Sequence, residues 1–290
     1  MTHSILIFGC GYLGQRVAEL MRGAGVQVHA VTRSSERAKE FAKAGISPIV
    51  ADVTDPETLT NLPPADTVLF AVGYDRSSDP SIDEVYTGGV RNVLAALPEG
   101  TKRFIYISTT GVYGDADGEW IDEQTPPNPS RAGGVASLAA EKLILASPLA
   151  DRAVILRLAG IYGPDRLPYL KQLTAGEPIE APQQGHLNLI HVGDAARIVA
   201  ALADPVRKVS GPAIYCVSDG HPVVRGNYYR EAARLLGAPE PTFVAPPAES
   251  PRAARAAADK RVSNQRLLAE VAIELQFPTY REGLASIVAP

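Results

Sequence analysis

The sequence predicts an α/β fold: a doubly wound parallel sheet with helices on both faces, plus a smaller C-terminal lobe. Three observations predict it. Short, unbroken apolar runs recur through the first half, each followed by an amphipathic segment. A glycine-rich turn joins the first run to the first amphipathic segment. After about residue 160 the alternation loosens, and proline and glycine become frequent. Unbroken apolar strands are those buried on both faces, as in parallel sheets. Strand–helix alternation then winds such a sheet in two directions.

In order, "SILIFG" reads as a buried strand and "LGQRVAELMRGAG" as a helix stopped by glycine. "VQVHAVTR", "SPIVAD", "TVLFAVG", "RFIYIST" and "RAVILRLAG" are the following strands. "SERAKEFAKAG", a long "PSIDEVYTGGVRNVLAALPEG" and "GGVASLAAEKLILAS" are the helices between them. Later, "HVGDAARIVAALAD", "NYYREAARLLGA" and "YREGLASIV" have helical spacing, and "AIYCVSD" reads as a strand. The Pro/Ala-rich "APEPTFVAPPAESPRAARAAA" reads as a loop entering a weak helix, with Arg252 and Arg255 on a solvated face. The expected division is residues 1–158 as the first domain, to which 188–218 returns. Residues 159–187 and 219–290 then form the smaller substrate-binding lobe.

The chain has 290 residues, a formal net charge of -4, 46% apolar and 21% charged residues, near the average for a globular protein. No Lys/Arg cluster marks a nucleic-acid surface. No apolar run approaches the ~18 residues of a membrane span, and no basic, apolar leader precedes "SILIFG". The two cysteines, Cys10 and Cys216, give neither a disulfide framework nor metal spacing. A reducing, cytoplasmic setting is the expectation, with no metal.

"GCGYLG" places Gly9, Gly11 and Gly14, with Tyr12 and Leu13 among the cofactor-binding candidates, between a strand and a helix. That context makes a GxGxxG pattern a Rossmann dinucleotide fingerprint. Glycines let backbone approach a pyrophosphate, and the helix N-terminus faces its charge. An acid ending the second strand would bond the ribose 2'-hydroxyl of NAD. Here the strand ends "AVTRSSER", with Arg33 at the discriminating place and Ser34 and Arg37 beside it. A guanidinium suits a 2'-phosphate, so NADP(H) is expected over NAD(H). Asp52 and Val53, after the third strand, are candidates to meet the adenine, and Ala71, Val72 and Gly73 to pass under the dinucleotide.

The motifs "GCGYLG", "ISTTGVYGD", "EQTPPNPS", "LAAEKLIL", "LRLAGIYGPDR" and "NLIHVGDAARIV" run in one order from about Ile5 to Leu284. In them the chain resembles the extended short-chain dehydrogenases/reductases of the NAD-dependent epimerase/dehydratase family. "KRVSNQRLL" and "FPTYREGL" are similar to an atypical branch. The resemblance implies a small-molecule carbonyl or alcohol substrate, often a nucleotide sugar. It also implies a homodimer through helices at about 80–97 and 134–147.

The resemblance further implies a YxxxK pair on the helix after the fifth strand, its spacing putting both side chains on one face. Anchored on "LAAE", the tyrosine falls at Gly133 and the lysine at Ser137. Neither residue can do the proton transfer. The family's Ser/Thr falls at Thr109, with Thr110 beside it. Two explanations remain open. One is an enzyme with a relocated acid/base, for which Tyr74 is the candidate set ahead of Tyr113, Tyr162, His186 and His191. Arg131, His186 and Asn188 are then the substrate-binding candidates, and a histidine exchanges protons near neutral pH. The other is a protein that binds NADP(H) without chemistry, as a sensor or scaffold.

Overall fold

The apolar runs become the strands of a seven-stranded parallel sheet. The computed structural model describes residues 3–77, 79–204, 206, 207, 209, 211–250, 253 and 257–288. Arg252 and Arg255 lie outside these. The strands are β1 (Ser4–Phe8), β2 (Gln27–Thr32), β3 (Ser47–Val50), β4 (Thr67–Phe70), β5 (Arg103–Thr109), β6 (Trp120–Ile121), β7 (Ala153–Leu158), β8 (Gly160–Tyr162), β9 (Ile179–Glu180), β10 (His186–Leu187), β11 (Leu189–His191), β12 (Ala213–Val217), β13 (Val223–Val224), β14 (Phe243–Val244) and β15 (Arg261–Val262). The helices are α1 (Tyr12–Gly23), α2 (Ser35–Lys43), α3 (Gly89–Ala96), α4 (Ala132–Leu145), α5 (Leu170–Ala175), α6 (Val192–Ala203), α7 (Arg225–Leu236), α8 (Gln265–Val271) and α9 (Tyr280–Val288).

The sheet order is β12-β7-β5-β4-β1-β2-β3. From β1 the chain winds outward through β2 and β3, then returns to β4 on the other side of β1 and winds away. This reversal opens a crevice at the carboxyl ends of β1 and β4, where ligands of such sheets bind. Register is fixed by burial: Leu6 and Phe8 of β1, Val68 and Phe70 of β4 and Phe104 and Tyr106 of β5 share one core with Ala140 and Ile144 of α4. Removing any one large side chain from it costs about 3–5 kcal/mol.

The chain divides into two units. The first holds residues 1–112, 132–157 and 195–215; the second holds 113–131, 158–194 and 216–290. In the first, Arg103 of β5 closes the end of α6, its guanidinium donating to the carbonyls of Leu202, Asp204 and Arg207 at 2.6, 2.9 and 2.7 Å. A cation there meets the carbonyls that a helix C-terminus leaves without helical partners. The second unit is built from short strand pairs, β8 with β11, β6 with β15 and β9 with β14 parallel, β10 with β13 antiparallel. Its core is aromatic, with Tyr162, Tyr228, Tyr229 and Tyr280 around Leu173, Val223 and Leu284.

One element departs from the sequence reading. The expected long helix after β4 contains a π turn over Glu84–Gly88 before α3 begins. The Gly89 N–H reaches the carbonyl of Glu84, five residues back. Such an inserted residue re-aims the side chains around it and is frequent at functional sites.

Candidate dinucleotide site and proton-transfer region

Three glycines after β1 do three different jobs. Gly9 has φ +84°, and a Cβ there would stand 2.5 Å from the backbone N of Val72. The β1 and β4 ends therefore meet backbone to backbone. A Cβ on Gly14 would stand 2.5 Å from the Gly9 carbonyl oxygen, so this glycine lets α1 pack on β1. A Cβ on Gly11 would meet nothing within 4 Å. Gly11 is also the N-cap of α1, with no side-chain cap and no acid in the first turn. Open space and the positive end of a helix dipole fit a pyrophosphate. Gly73, after β4, is likewise open.

The surrounding residues support this loop. Leu13 is buried, and Tyr12 is half-buried under the Arg16 guanidinium, 4.3 Å from its ring centre. Arg37 donates to the Cys10 carbonyl at 2.9 Å. Burial pushes the Cys10 thiol up to about 11, against the opposing effect of Arg37, so it is no nucleophile near neutral pH.

At the end of β2, Arg33 is half exposed and 3.9 Å from the Asp52 carboxylate. The pKa of exposed Asp75 is lowered, first by the Ser77 hydroxyl that bonds its carboxylate and in small part by the Arg33 charge. Asp52 is partly committed, its other oxygen accepting from the Thr54 N–H and hydroxyl at 2.9 and 2.7 Å. Val53 is buried, with its Cγ2 2.9 Å from where a Gly89 Cβ would be. Ser34 caps α2, accepting from the Arg37 N–H at 3.2 Å.

The helix face that would carry YxxxK faces a polar network instead. Ser137 is buried, and its hydroxyl bonds the phenol of Tyr106 in β5. Burial, above all, raises the pKa of the Tyr106 phenol well above its ordinary value. One turn further along α4, Glu141 is buried with Arg157 at 2.6 Å and accepts the Ser108 hydroxyl. A Cβ on Gly133 would meet only the Ile82 Cδ1, at 3.4 Å. Thr109 accepts the Gly111 N–H at 3.0 Å, and Thr110 is buried beside it. The half-buried Tyr86, on the π turn, has its phenol oxygen 3.3 Å from the Tyr74 backbone N–H.

In the second unit, His186 Nδ1 is 2.9 Å from Asp259 Oδ1, which also accepts the His186 N–H at 2.8 Å. Asn188 is taken up by backbone, donating to the Lys260 carbonyl at 2.8 Å and accepting from the Val262 N–H at 2.7 Å. Burial lowers the pKa of Arg131; burial, then the Arg131 charge, lowers that of Lys260, which donates to the Gly114 carbonyl. The Tyr113 phenol is buried at 3.2 Å from Cys216 Sγ. Tyr162 is buried against Gly283, and the His191 ring packs 3.8 Å from that of Phe277. Tyr113, Tyr162 and His191 are thus packing residues of this unit. Sequence reasoning missed Tyr86, Tyr106 and the Glu141–Arg157 pair. Arg157 did carry a signal, being a charge inside an otherwise apolar run.

Glycine loop, switch point and parallel sheet together define a dinucleotide-binding α/β protein. The chain belongs to the NAD dependent epimerase/dehydratase family, whose sequence profile matches residues 5–218. It is 29% identical over 281 residues to protein YeeZ of Escherichia coli K12, covering 94% of this chain and 96% of that one. A structure of a functionally unknown conserved protein from Silicibacter pomeroyi superposes with a TM-score of 0.82 at 30% identity, covering 99% of both chains. A ketoreductase of Stigmatella aurantiaca, named for a farnesylated dihydroquinoline-oxide ketone, is 28% identical over 74% of this chain and 67% of its own. Among the described residues no helix is long and apolar enough to cross a membrane.

Proposed function

We propose that this protein is an NADP(H)-dependent oxidoreductase acting on a carbonyl or alcohol, a nucleotide sugar or a related small molecule, with an active site that works without YxxxK. The observation that carries it is the Gly9–Gly14 cradle, where the one glycine with open space beside its Cα sits at the N-terminus of α1. Gly9, Gly11, Tyr12, Leu13 and Gly14 would hold the pyrophosphate. Ala71, Val72 and Gly73 would line its path, and Arg33, with Ser34, would take the 2'-phosphate. Asp52 and Val53 would flank the adenine. The bound nicotinamide supplies hydride chemistry. Thr109 would orient the substrate oxygen, its hydroxyl proton remaining available while its oxygen accepts the Gly111 N–H. Arg131, His186 and Asn188 are the substrate-binding residues of this reading. A ketoreductase relative supports the carbonyl class.

We assign the protein to the cytoplasm on its two buried cysteines, which form no disulfide with each other, and to a homodimer through α3 and α4, where Val135 is exposed. The division into a dinucleotide-binding domain of 1–158 and a substrate lobe of 159–187 and 219–290, with 188–218 returning, stands as part of the same reading. Calorimetric titration with NADPH, NADP+, NADH and NAD+ tests it. Micromolar binding that favours the phosphorylated pair supports it, and no binding of any of the four overturns it. Binding with no turnover across a broad panel of ketones and nucleotide sugars would favour the sensor, which the Gly133 and Ser137 replacements also motivate.

A further inference from the structure

The loss of tyrosine at position 133 raises the question of which phenol the first unit offers instead. Besides Tyr74, which follows β4, two lie near the carboxyl end of β4 or the α4 face: Tyr86 and Tyr106. Tyr106 is 2% exposed and bonded to Ser137, so no substrate reaches it. Tyr86 is half-buried. Its oxygen accepts the Tyr74 N–H at 3.3 Å, just beyond the Ala71–Gly73 segment along the dinucleotide's proposed path. The π turn that carries it packs on the first half of α4: Thr87 Oγ1 donates to the Ala136 carbonyl at 3.4 Å, and Ile82 covers Gly133. Ionised Tyr86 would oppose the ionisation of Tyr106 of β5, which Ser137 bonds, so the two phenols are electrostatic neighbours. Tyr86 therefore stands against the very helix turn where the family's tyrosine and lysine would be.

We propose that Tyr86 is the proton donor of this active site, in place of the family's helix tyrosine; this rests on the NADP(H) reading above. In the reductive direction the carbonyl carbon receives hydride, two electrons, from the reduced nicotinamide. The C=O π bond breaks, and its oxygen takes the phenolic proton of Tyr86. A C–H and an O–H bond form, and the Tyr86 phenolate recovers a proton from water. Burial keeps the phenol protonated, and the Tyr74 N–H, donated to its oxygen, steadies the phenolate that appears. The groups that act on it are the Tyr74 backbone N–H and the Tyr106 phenol of β5, which in turn is bonded by Ser137 of α4 and feels the Glu141 charge.

The test reads the phenol directly. Tyrosinate absorbance at 295 nm is followed from pH 7 to 12 with and without saturating NADP+, for the wild type, Tyr86→Phe and Tyr74→Phe. The cationic nicotinamide should lower the ionisation of one tyrosine by about one pH unit in the wild type and in Tyr74→Phe. Tyr86→Phe should lack that change while keeping NADPH affinity within about threefold. With any substrate the panel yields, it should lose about 100-fold in turnover. A cofactor-linked shift that survives in Tyr86→Phe, or NADP+ binding with no such shift, overturns the assignment and leaves the cofactor reading standing. A wild type that binds no dinucleotide overturns both.

Discussion

Arg33→Ala is the substitution that tests the cofactor preference most sharply. A hydrogen bond to a charged group contributes about 1.5–3 kcal/mol. Arg33 is 53% exposed on its side chain and is 3.9 Å from Asp52, an ion pair it must loosen to hold a phosphate. The lower part of the range applies, about 1.5–2 kcal/mol, or about 10- to 30-fold in NADPH affinity. Removing the guanidinium also leaves Asp52 and Asp75 facing the 2'-phosphate uncompensated, which acts in the same direction. NADH has no phosphate there, so its affinity should change less than about threefold. The fold should be indifferent, since exposed ion pairs contribute about 0–1 kcal/mol. The assay is calorimetry with all four dinucleotides at two salt concentrations, and the NADPH advantage should shrink as salt screens it. Equal losses for NADPH and NADH would refute the 2'-phosphate assignment.

Further outcomes follow from the structure. Gly11→Ala should fold within about 1 kcal/mol of the wild type yet lose at least about tenfold in dinucleotide affinity. Gly14→Ala should instead destabilise by about 1–3 kcal/mol, because its Cβ meets the Gly9 carbonyl at 2.5 Å; thermal melts and calorimetry separate the two. Glu141→Gln should cost about 3–5 kcal/mol in urea unfolding, since it strips the buried Arg157 of its counter-charge. The double change Gly133→Tyr with Ser137→Lys should not by itself create robust turnover on nucleotide sugars, because the lysine would be buried against Tyr106; substantial new activity would sink that expectation. Burial raises the Asp219 carboxyl to about 7. A folded pKa above the unfolded one favours the protonated native state, so this group's contribution falls as pH rises from about 4 to 7 and is flat above. Asp219→Asn should remove that slope from the pH dependence of the urea midpoint, worth a few kcal/mol at most; an unchanged slope would refute it.

The sheet was legible because its strands are buried on both faces and so read as unbroken apolar runs. The glycine loop was legible because its spacing reflects backbone approach, a local property. Three features resisted. The π turn at Glu84–Gly88 sits inside one continuous helical pattern, and a single inserted residue leaves no periodicity to detect. Tyr86 was passed over for that reason, while Tyr74 drew attention by its place after β4; the bond between them uses only the Tyr74 backbone. The partners of Ser137 and Glu141 lie on β5 and β7, far away in sequence, and pairings of that kind follow from the folded sheet rather than from spacing.

The division of the chain into segments has a consequence for how it is made. The dinucleotide loop and β1 to β5 are complete by residue 112, but Phe104, Tyr106 and Val93 share their core with Ala140, Ile144, Ala153 and Ile155. On a ribosome adding about 5–20 residues per second, the first five strands wait several seconds for the helix and strand that cover them. During that interval, one apolar face and the β5 edge stand open. A pause between codons 112 and 157 should therefore harm the yield of folded protein more than a pause of equal length after 215, where the first unit is already whole.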